Sequence, residues 1–241
     1  MELSVVIPAK NEEKNIEATL RDIHGYLSSH DISHEIIVVT NDCTDKTDQI
    51  VDELVREIPA ISHIKFSHGK GKGFAVRKGM EKATGDLRLF MDADNSTKID
   101  NFDRFKSYTA QGYDIVIGSI GLPDKDVKEG SEPWYRMLLG KAGNLFIQML
   151  LTPGIHDTQR GFKILTAKAA NAIFPKMKVD GFAFDVELLV LARKRGFKIK
   201  ELSVKWANVV ETSKVTLGSY LEVLLSCVKI KWDLITGRYN D

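Results

Sequence analysis

Short apolar runs with strand character alternate with helical periodicity through the first half of the chain. The runs begin at Leu3, Glu35, Ile61, Leu87 and Asp114, and amphipathic segments fill the spaces between the first four. Parallel strands need long crossover connections, usually helical, so this alternation predicts right-handed βαβ units. We therefore expect an α/β fold, with a mostly parallel central sheet and helices on both faces.

The second half is a mixture of elements rather than a continued alternation. Polar residues dominate 121–132, which suits a mobile loop or lid. Apolar spacing and breaker residues predict helices over 133–151, 166–174, 184–194 and 217–235, and extended segments over 161–165 and 197–206.

Composition describes a soluble globular chain, and its length suits one large domain or two small ones. Of 241 residues, 43% are hydrophobic and 28% charged, and the net charge of +1 gives no argument for nucleic acid binding. We find no secretory signal pattern and no apolar run of the roughly 20 residues that a membrane span needs. Cys43 and Cys227 have no metal-ligand spacing, which favours a reducing, cytoplasmic location.

Two acidic residues, Asp92 and Asp94, follow directly after the apolar run 87–91. In open α/β sheets, ligands bind at the carboxyl ends of the strands, so these carboxylates are expected to line a site. Carboxylates suit Mg²⁺ or a similar divalent cation shared with substrate phosphates. Asp-x-Asp also occurs in ordinary turns, so the pair alone does not decide between a metal site and a turn.

Polar segments follow the neighbouring strands as well. Residues 8–12 read Pro-Ala-Lys-Asn-Glu, and residues 40–47 begin Thr-Asn-Asp-Cys. Residues 69–73 read Gly-Lys-Gly-Lys-Gly before a helix, where small residues allow close approach to an anion. This turn is neither a Walker A loop nor Gly-x-Gly-x-x-Gly, and a solvated basic turn is its simpler explanation.

Taken together, these segments resemble the family 2 glycosyltransferases of the GT-A fold. The likeness rests on 5–12 (Val-Val-Ile-Pro-Ala-Lys-Asn-Glu), 71–77 with its Gly-Lys-Gly and Ala-Val-Arg, and 91–94 (Met-Asp-Ala-Asp). Residues 156–163 (His-Asp-Thr-Gln-Arg-Gly-Phe-Lys) and 182–188 (Phe-Ala-Phe-Asp-Val-Glu-Leu) are similar to the dolichyl-phosphate β-glucosyltransferase and polyprenyl-phosphate glycosyltransferase branch. The resemblance covers nearly the whole chain.

The resemblance implies one domain, 1–241, with a donor nucleotide and metal half (1–120), an acceptor half (121–215) and a C-terminal amphipathic helix (216–241). It implies an inverting transfer of a hexose, most plausibly glucose from UDP-glucose, to a polyprenyl or dolichyl phosphate. Mg²⁺ or Mn²⁺ would be held by Asp92 and Asp94, and Asp94 and Asp157 are the implied catalytic acids. The implied donor-binding residues are Pro8, Ala9, Asn11, Glu12, Asn41, Lys72, Asp92 and Ala93.

Two departures from the family pattern bear on the ligands. Asn41 stands where relatives have a carboxylate expected to read the nucleotide base, and Ile120 stands where a Gly-Ser-Arg stretch has its arginine. A cation for the acceptor phosphate must therefore come from elsewhere. The residues expected at that phosphate are Arg136, Gln159, Arg160, Lys163 and Lys214.

The last predicted helix carries an apolar stripe with basic residues near its end. This composition suits a helix that lies in the lipid headgroup plane on the cytosolic face of a membrane. Such stripes also dock on a protein's own core or on a partner, including a membrane-embedded one. The stripe comprises Leu217, Leu221, Leu224, Leu225, Val228, Trp232 and Ile235.

Three other functions fit parts of the pattern. A soluble GT-A glycosyltransferase would act on a small molecule or glycan, and its membrane binding would not depend on the last helix. A nucleotidyltransferase would use a similar sheet and release pyrophosphate. A non-catalytic sugar-nucleotide or lipid-carrier binding subunit would accommodate the departures at Asn41 and Ile120.

Overall fold

A central sheet of seven strands organises the computed structural model, which describes residues 1–68, 70–122, 134–205 and 217–240. The strand order in this part of the chain is β3-β2-β1-β4-β6-β5-β7, and all neighbours run parallel except β6, which is antiparallel to β4 and β5. The mostly parallel sheet is therefore confirmed. The strands are β1 (Leu3–Ala9), β2 (His34–Asn41), β3 (Ile61–Phe66), β4 (Leu87–Met91), β5 (Ile115–Ser119), β6 (Phe162–Thr166) and β7 (Ile199–Ser203).

Helices cover both faces of this sheet, as the alternation predicts. One core joins the first, second and fourth helices to one sheet face, and a second core joins the third, sixth and seventh to the other. The helices are α1 (Ile16–Ser29), α2 (Thr47–Glu57), α3 (Lys72–Lys82), α4 (Phe102–Ala110), α5 (Trp134–Leu150), α6 (Ala167–Ile173), α7 (Phe184–Lys194) and α8 (Leu217–Ile235). Short 3₁₀ turns span Ile99–Asn101 and Phe174–Lys176.

Helix α4 was not predicted from the sequence, and helix α1 begins later than its periodicity suggests. Only Phe102 and Phe105 of α4 are buried, which is too sparse a pattern to read as a stripe. Helix α1 begins at Ile16 rather than near Asn11, because Asn11 has a φ of +53° and belongs to a polar loop. The residues between β1 and α1 therefore form a loop at the carboxyl edge of the sheet.

A third apolar cluster joins helices α5, α7 and α8. Ile147 from α5, Val190 from α7, and Val223, Cys227 and Ile230 from α8 are buried there. None of the described helices combines the length and hydrophobicity that crossing a bilayer requires. The predicted lid at 121–132 lies outside the described residues except for its first two.

Candidate active site

The polar loops after β1 and β2 are bonded to each other at the carboxyl edge of the sheet. The Oδ1 of Asn11 accepts a hydrogen bond from the backbone N–H of Thr44 at 2.7 Å, and the N–H of Glu12 donates to the Oγ1 of Thr47 at 2.7 Å. The predicted donor residues Asn11 and Glu12 thus lie beside the end of β2. Pro8 and Ala9 precede them as buried residues of β1.

Asn41 is buried at the end of β2 and joins it to the start of α3. Its side-chain amide N–H donates to the carbonyl of Gly71 at 3.1 Å. Flipping the amide would set its oxygen against that carbonyl, so the hydrogen bond fixes the orientation. Among the described residues, the Oδ1 of Asn41 has no hydrogen-bond partner. A buried, unpaired acceptor is thus available at the predicted base-reading position.

The ammonium group of Lys72, at the first position of α3, lies 2.5 Å from the carboxylate of Asp92. Burial disfavours charge on both groups, but their mutual attraction outweighs it: the pKa of Asp92 is lowered, and the pKa of Lys72 is raised. Gly71 has a φ of +122°, and a Cβ there would lie 2.5 Å from the carbonyl oxygen of Asp180. Only glycine therefore permits this close approach of α3.

The residue before β6, Gly161, contacts Asp92. The backbone N–H of Asp92 donates to the carbonyl of Gly161 at 3.2 Å, and a Cβ added at Gly161 would overlap the Asp92 carboxylate. Asp94 follows, half-buried, with its Oδ1 accepting from the N–H of Ser96 at 3.0 Å. No group of three or more His, Cys, Asp or Glu side chains forms a metal cluster within the described ranges. Two carboxylates nevertheless fit Mg²⁺ or Mn²⁺, which commonly take further oxygens from water and substrate phosphates.

The carboxylate of Asp157 accepts three described hydrogen bonds near the end of β5. One carboxylate oxygen accepts from the N–H of Ile120 at 3.1 Å and from Nε of Arg160 at 3.3 Å, and the other accepts from the N–H of Gln159 at 3.2 Å. Arg160 therefore lies beside Ile120, where the family pattern has its arginine. The exposed Gln159 extends its amide towards the carbonyl of Phe182 at 3.5 Å.

Lys163 does not lie where the acceptor-phosphate prediction requires it. Its side chain is 0% exposed, and its ammonium lies 2.5 Å from Asp185 on α7. Burial outweighs the attraction of Lys163 and raises the pKa of Asp185. The side chain of Lys163 therefore has no exposed charge to offer a phosphate in this structure, and its role at the acceptor stays a prediction that these contacts do not support. Lys214 and the side chain of Arg136 lie outside the described residues.

Three residues near the site escaped the sequence-based prediction. Gly161 contacts Asp92, and Asp180 pairs with Arg77 to hold the start of α7 against α3. Glu201 on β7 accepts hydrogen bonds from the backbone of His156 and Asp157. The Gly161 signal was present in the quoted 156–163 motif, but the partners of Asp180 and Glu201 depend on the tertiary fold.

Solved structures share this architecture. The glucosyl-3-phosphoglycerate synthase of Mycobacterium tuberculosis, solved with Mn²⁺, UDP and phosphoglyceric acid, matches with a TM-score of 0.66 at 19% identity over 95% of this chain and 78% of that one. The mannosyl-3-phosphoglycerate synthase of Rubrobacter xylanophilus matches with a TM-score of 0.69 at 17% identity over 99% and 75%. The sheet, with acidic residues at the end of β4, is that of the GT-A nucleotide-diphospho-sugar transferases.

Sequence comparison narrows this class to one family. The chain belongs to glycosyl transferase family 2, whose family model matches residues 4–174. It is 36% identical over 235 residues to the dolichyl-phosphate beta-glucosyltransferase ALG5C of Trichomonas vaginalis, covering 93% of this chain and 69% of the relative. The dolichyl-phosphate beta-glucosyltransferase of Dictyostelium discoideum is 32% identical over 250 residues, covering 99% and 76%. The predicted family and fold are both confirmed.

Proposed function

We propose that this glycosyltransferase moves glucose from UDP-glucose to dolichyl phosphate or a similar polyprenyl phosphate at a membrane surface. A phosphate oxygen of the acceptor would form a bond to the anomeric carbon as the bond from that carbon to the UDP oxygen breaks, and UDP would leave. The two dolichyl-phosphate beta-glucosyltransferase relatives support glucose as the sugar and dolichyl phosphate as the acceptor. Membership of the family favours sugar transfer over nucleotidyl transfer.

The observation that carries this proposal is the direct contact between the two halves of the site. The carboxylate of Asp92 forms an ion pair with Lys72 on the donor side, and its backbone N–H donates a hydrogen bond to the carbonyl of Gly161 on the other side. Gly161 follows Arg160, whose guanidinium donates a hydrogen bond to the carboxylate of Asp157. A donor diphosphate at Asp92 and an acceptor phosphate at Arg160 would therefore lie close enough to exchange a sugar.

Residues at the carboxyl edge of the sheet would bind both the metal ion and the nucleotide base of the donor. Asp92 and Asp94 would hold Mg²⁺ or Mn²⁺, which supplies Lewis-acid stabilisation to the leaving diphosphate. The unpaired Oδ1 of Asn41 would accept a hydrogen bond from the imide N–H of uracil. Adenine and cytosine present ring-nitrogen acceptors at the corresponding positions and would leave two acceptors facing each other, so Asn41 supports UDP over ADP or CDP.

The acceptor end needs orientation more than proton abstraction. The second pKa of a phosphate monoester is about 6, so a lipid phosphate is largely ionised at neutral pH. Both oxygens of Asp157 already accept hydrogen bonds, from Ile120, Gln159 and Arg160. We assign Asp157 the role of holding Arg160, whose guanidinium replaces the arginine absent at Ile120 and binds the acceptor phosphate.

A transfer assay tests the proposal. We expect UDP-glucose, Mn²⁺ or Mg²⁺ and a short polyprenyl phosphate to give lipid-linked glucose and UDP, and GDP-, ADP- and CDP-sugars to give less product. Product formed with a soluble glycan or small-molecule acceptor, but not with the lipid, would reject the polyprenyl phosphate as the acceptor and favour a soluble one. A folded protein that binds UDP-glucose but transfers nothing would favour a binding subunit.

The exposed face of α8 supports contact with a membrane. Five of its seven stripe residues are 53–70% exposed, while Val223, Cys227 and Ile230 on the opposite side pack on α5 and α7. Within the described residues, these five side chains therefore do not pack on the protein's own core. Leu145 and Met149 of α5 add exposed apolar surface, and exposed Lys229 and Lys231 supply positive charge. The five exposed stripe residues are Leu221, Leu225, Val228, Trp232 and Ile235.

Vesicle flotation tests this contact. We expect the protein to float with vesicles that contain anionic lipid, and the double substitution Leu225→Glu, Trp232→Glu to lower the bound fraction about tenfold or more, because burial of one large apolar side chain contributes about 1.5–3 kcal/mol. The double substitution Gln49→Glu, Gln111→Glu adds the same charge at exposed sites and should float normally. Equal flotation of all three proteins, or a dimer that covers the stripe, would overturn the membrane proposal.

A further inference from the structure

Glu201 of β7 contacts the loop that precedes β6. Its side chain is only 10% exposed, and β7 runs parallel to β5 with Glu201 opposite Ile117. Glu201 therefore lies two residues before the end of β7, while the His156–Asp157 loop lies over the ends of both strands. Nothing in the sequence motif around Asp157 points to this residue.

The carboxylate of Glu201 accepts hydrogen bonds from two successive backbone groups. The N–H of His156 lies 3.0 Å from both carboxylate oxygens, and the N–H of Asp157 lies 2.8 Å from Oε1. The Nδ1 of His156 lies 3.1 Å from Oε2. Consecutive N–H groups that converge on one anion form a rigid arrangement, and hydrogen bonds to a charged acceptor are roughly twice as strong as neutral ones.

This arrangement fixes the residue that carries the acceptor end of the site. The backbone of Asp157 is held by Glu201, and its carboxylate in turn holds the N–H of Ile120 and the guanidinium of Arg160. Displacement of the loop would move Arg160 relative to Asp92, which contacts the adjacent Gly161. Errors of about 1 Å in the approach of two reactants can lower a rate about a hundredfold.

We propose that Glu201 is a positioning residue for sugar transfer, which acts by holding Asp157 and, through it, Arg160 in place. This inference rests on the proposed function, because it assumes that Asp157 and Arg160 serve the acceptor phosphate. Glu201 does not contact the donor residues Asn41, Lys72 or Asp92 in any described hydrogen bond. Its effect should therefore fall on transfer to the acceptor and not on donor binding.

Kinetics with UDP-glucose, Mn²⁺ and a short polyprenyl phosphate test this role. We expect Glu201→Ala to lower kcat roughly 10- to 100-fold, with the Kd for UDP and the slow hydrolysis of UDP-glucose by water within about twofold of wild type. Glu201→Gln should recover most of the kcat, because one amide oxygen can still accept from both backbone N–H groups. Glu201→Gln also keeps the test available if the alanine variant does not fold.

Glu35→Ala is a matched control. Glu35 is also a strand carboxylate with several hydrogen bonds, to Ser4 and Thr84, but it lies near the start of β2, at the opposite edge of the sheet. Its loss should lower stability without a selective loss of kcat. Wild-type kcat in a folded Glu201→Ala protein, or equal loss of UDP binding and transfer, would overturn the positioning role. Absence of transfer by the wild-type protein would instead reject the proposed function.

Discussion

Replacing Asp94 by alanine should lower the rate of sugar transfer about a thousandfold while the protein stays folded. Asp94 is half-buried, and its only described hydrogen bond is from the N–H of Ser96. Unlike Asp92, it has no cation within ion-pair distance in the described part of the chain, so its carboxylate is available to a divalent ion. Lewis-acid stabilisation of a leaving diphosphate contributes several kcal/mol, and about 1.4 kcal/mol corresponds to a tenfold change in rate.

The measurement is kcat for transfer, together with the thermal midpoint and the binding of Mn²⁺ in the presence of UDP. Asp100→Ala is the control, because Asp100 is an exposed acid a few residues further along the same connection. It should keep wild-type values. Chelation of metal should lower the kcat of the wild-type protein as much as Asp94→Ala does. Added Mn²⁺ should restore the kcat of the chelated wild-type protein but not that of the Asp94→Ala variant. An Asp94→Ala protein with more than about a tenth of the wild-type kcat would contradict the metal assignment.

The elements that the sequence predicted are those whose signal is local. Strands such as β4 and helices such as α7 carry continuous or periodic apolar residues, and the structure confirms both with the predicted bounds. The two acids after β4 could be found because the carboxyl end of a parallel strand is a general site for ligands. Helix α4 was missed because its two buried phenylalanines give too little periodicity.

Partners distant in sequence were beyond local reasoning. Glu201 meets Asp157 only because β7 lies beside β5, and Gly161 meets Asp92 only because antiparallel β6 inserts between β4 and β5. The strand order that creates these contacts is a property of the whole sheet. Lys163 shows a second limit of local reasoning, since its basic motif predicts a phosphate contact while its position on β6 directs its side chain into the core.

Replacing Lys163 by methionine should destabilise the protein by about 3–5 kcal/mol, because the change leaves the buried carboxylate of Asp185 without its counter-ion. Both side chains are almost fully buried, and the Lys163 ammonium also donates to the carbonyl of Arg160 and lies 5.2 Å from the centre of the Phe90 ring. The double substitution Lys163→Met, Asp185→Leu should recover most of this loss, because no buried charge remains. Lys98→Met, at an exposed lysine, should be close to neutral.

The pH dependence of urea unfolding supplies an independent readout for Lys163→Met. Burial already raises the pKa of Asp185, and loss of Lys163 should raise it further. The folded state then binds a proton that the unfolded state releases, so stability should fall as the pH rises through the folded pKa of Asp185 and recover as the pH is lowered. The variant should therefore lose less stability in acidic buffer than at neutral pH. If Lys163→Met were instead as stable as wild type and raised the KM for the polyprenyl phosphate, Lys163 would be an acceptor-binding cation after all.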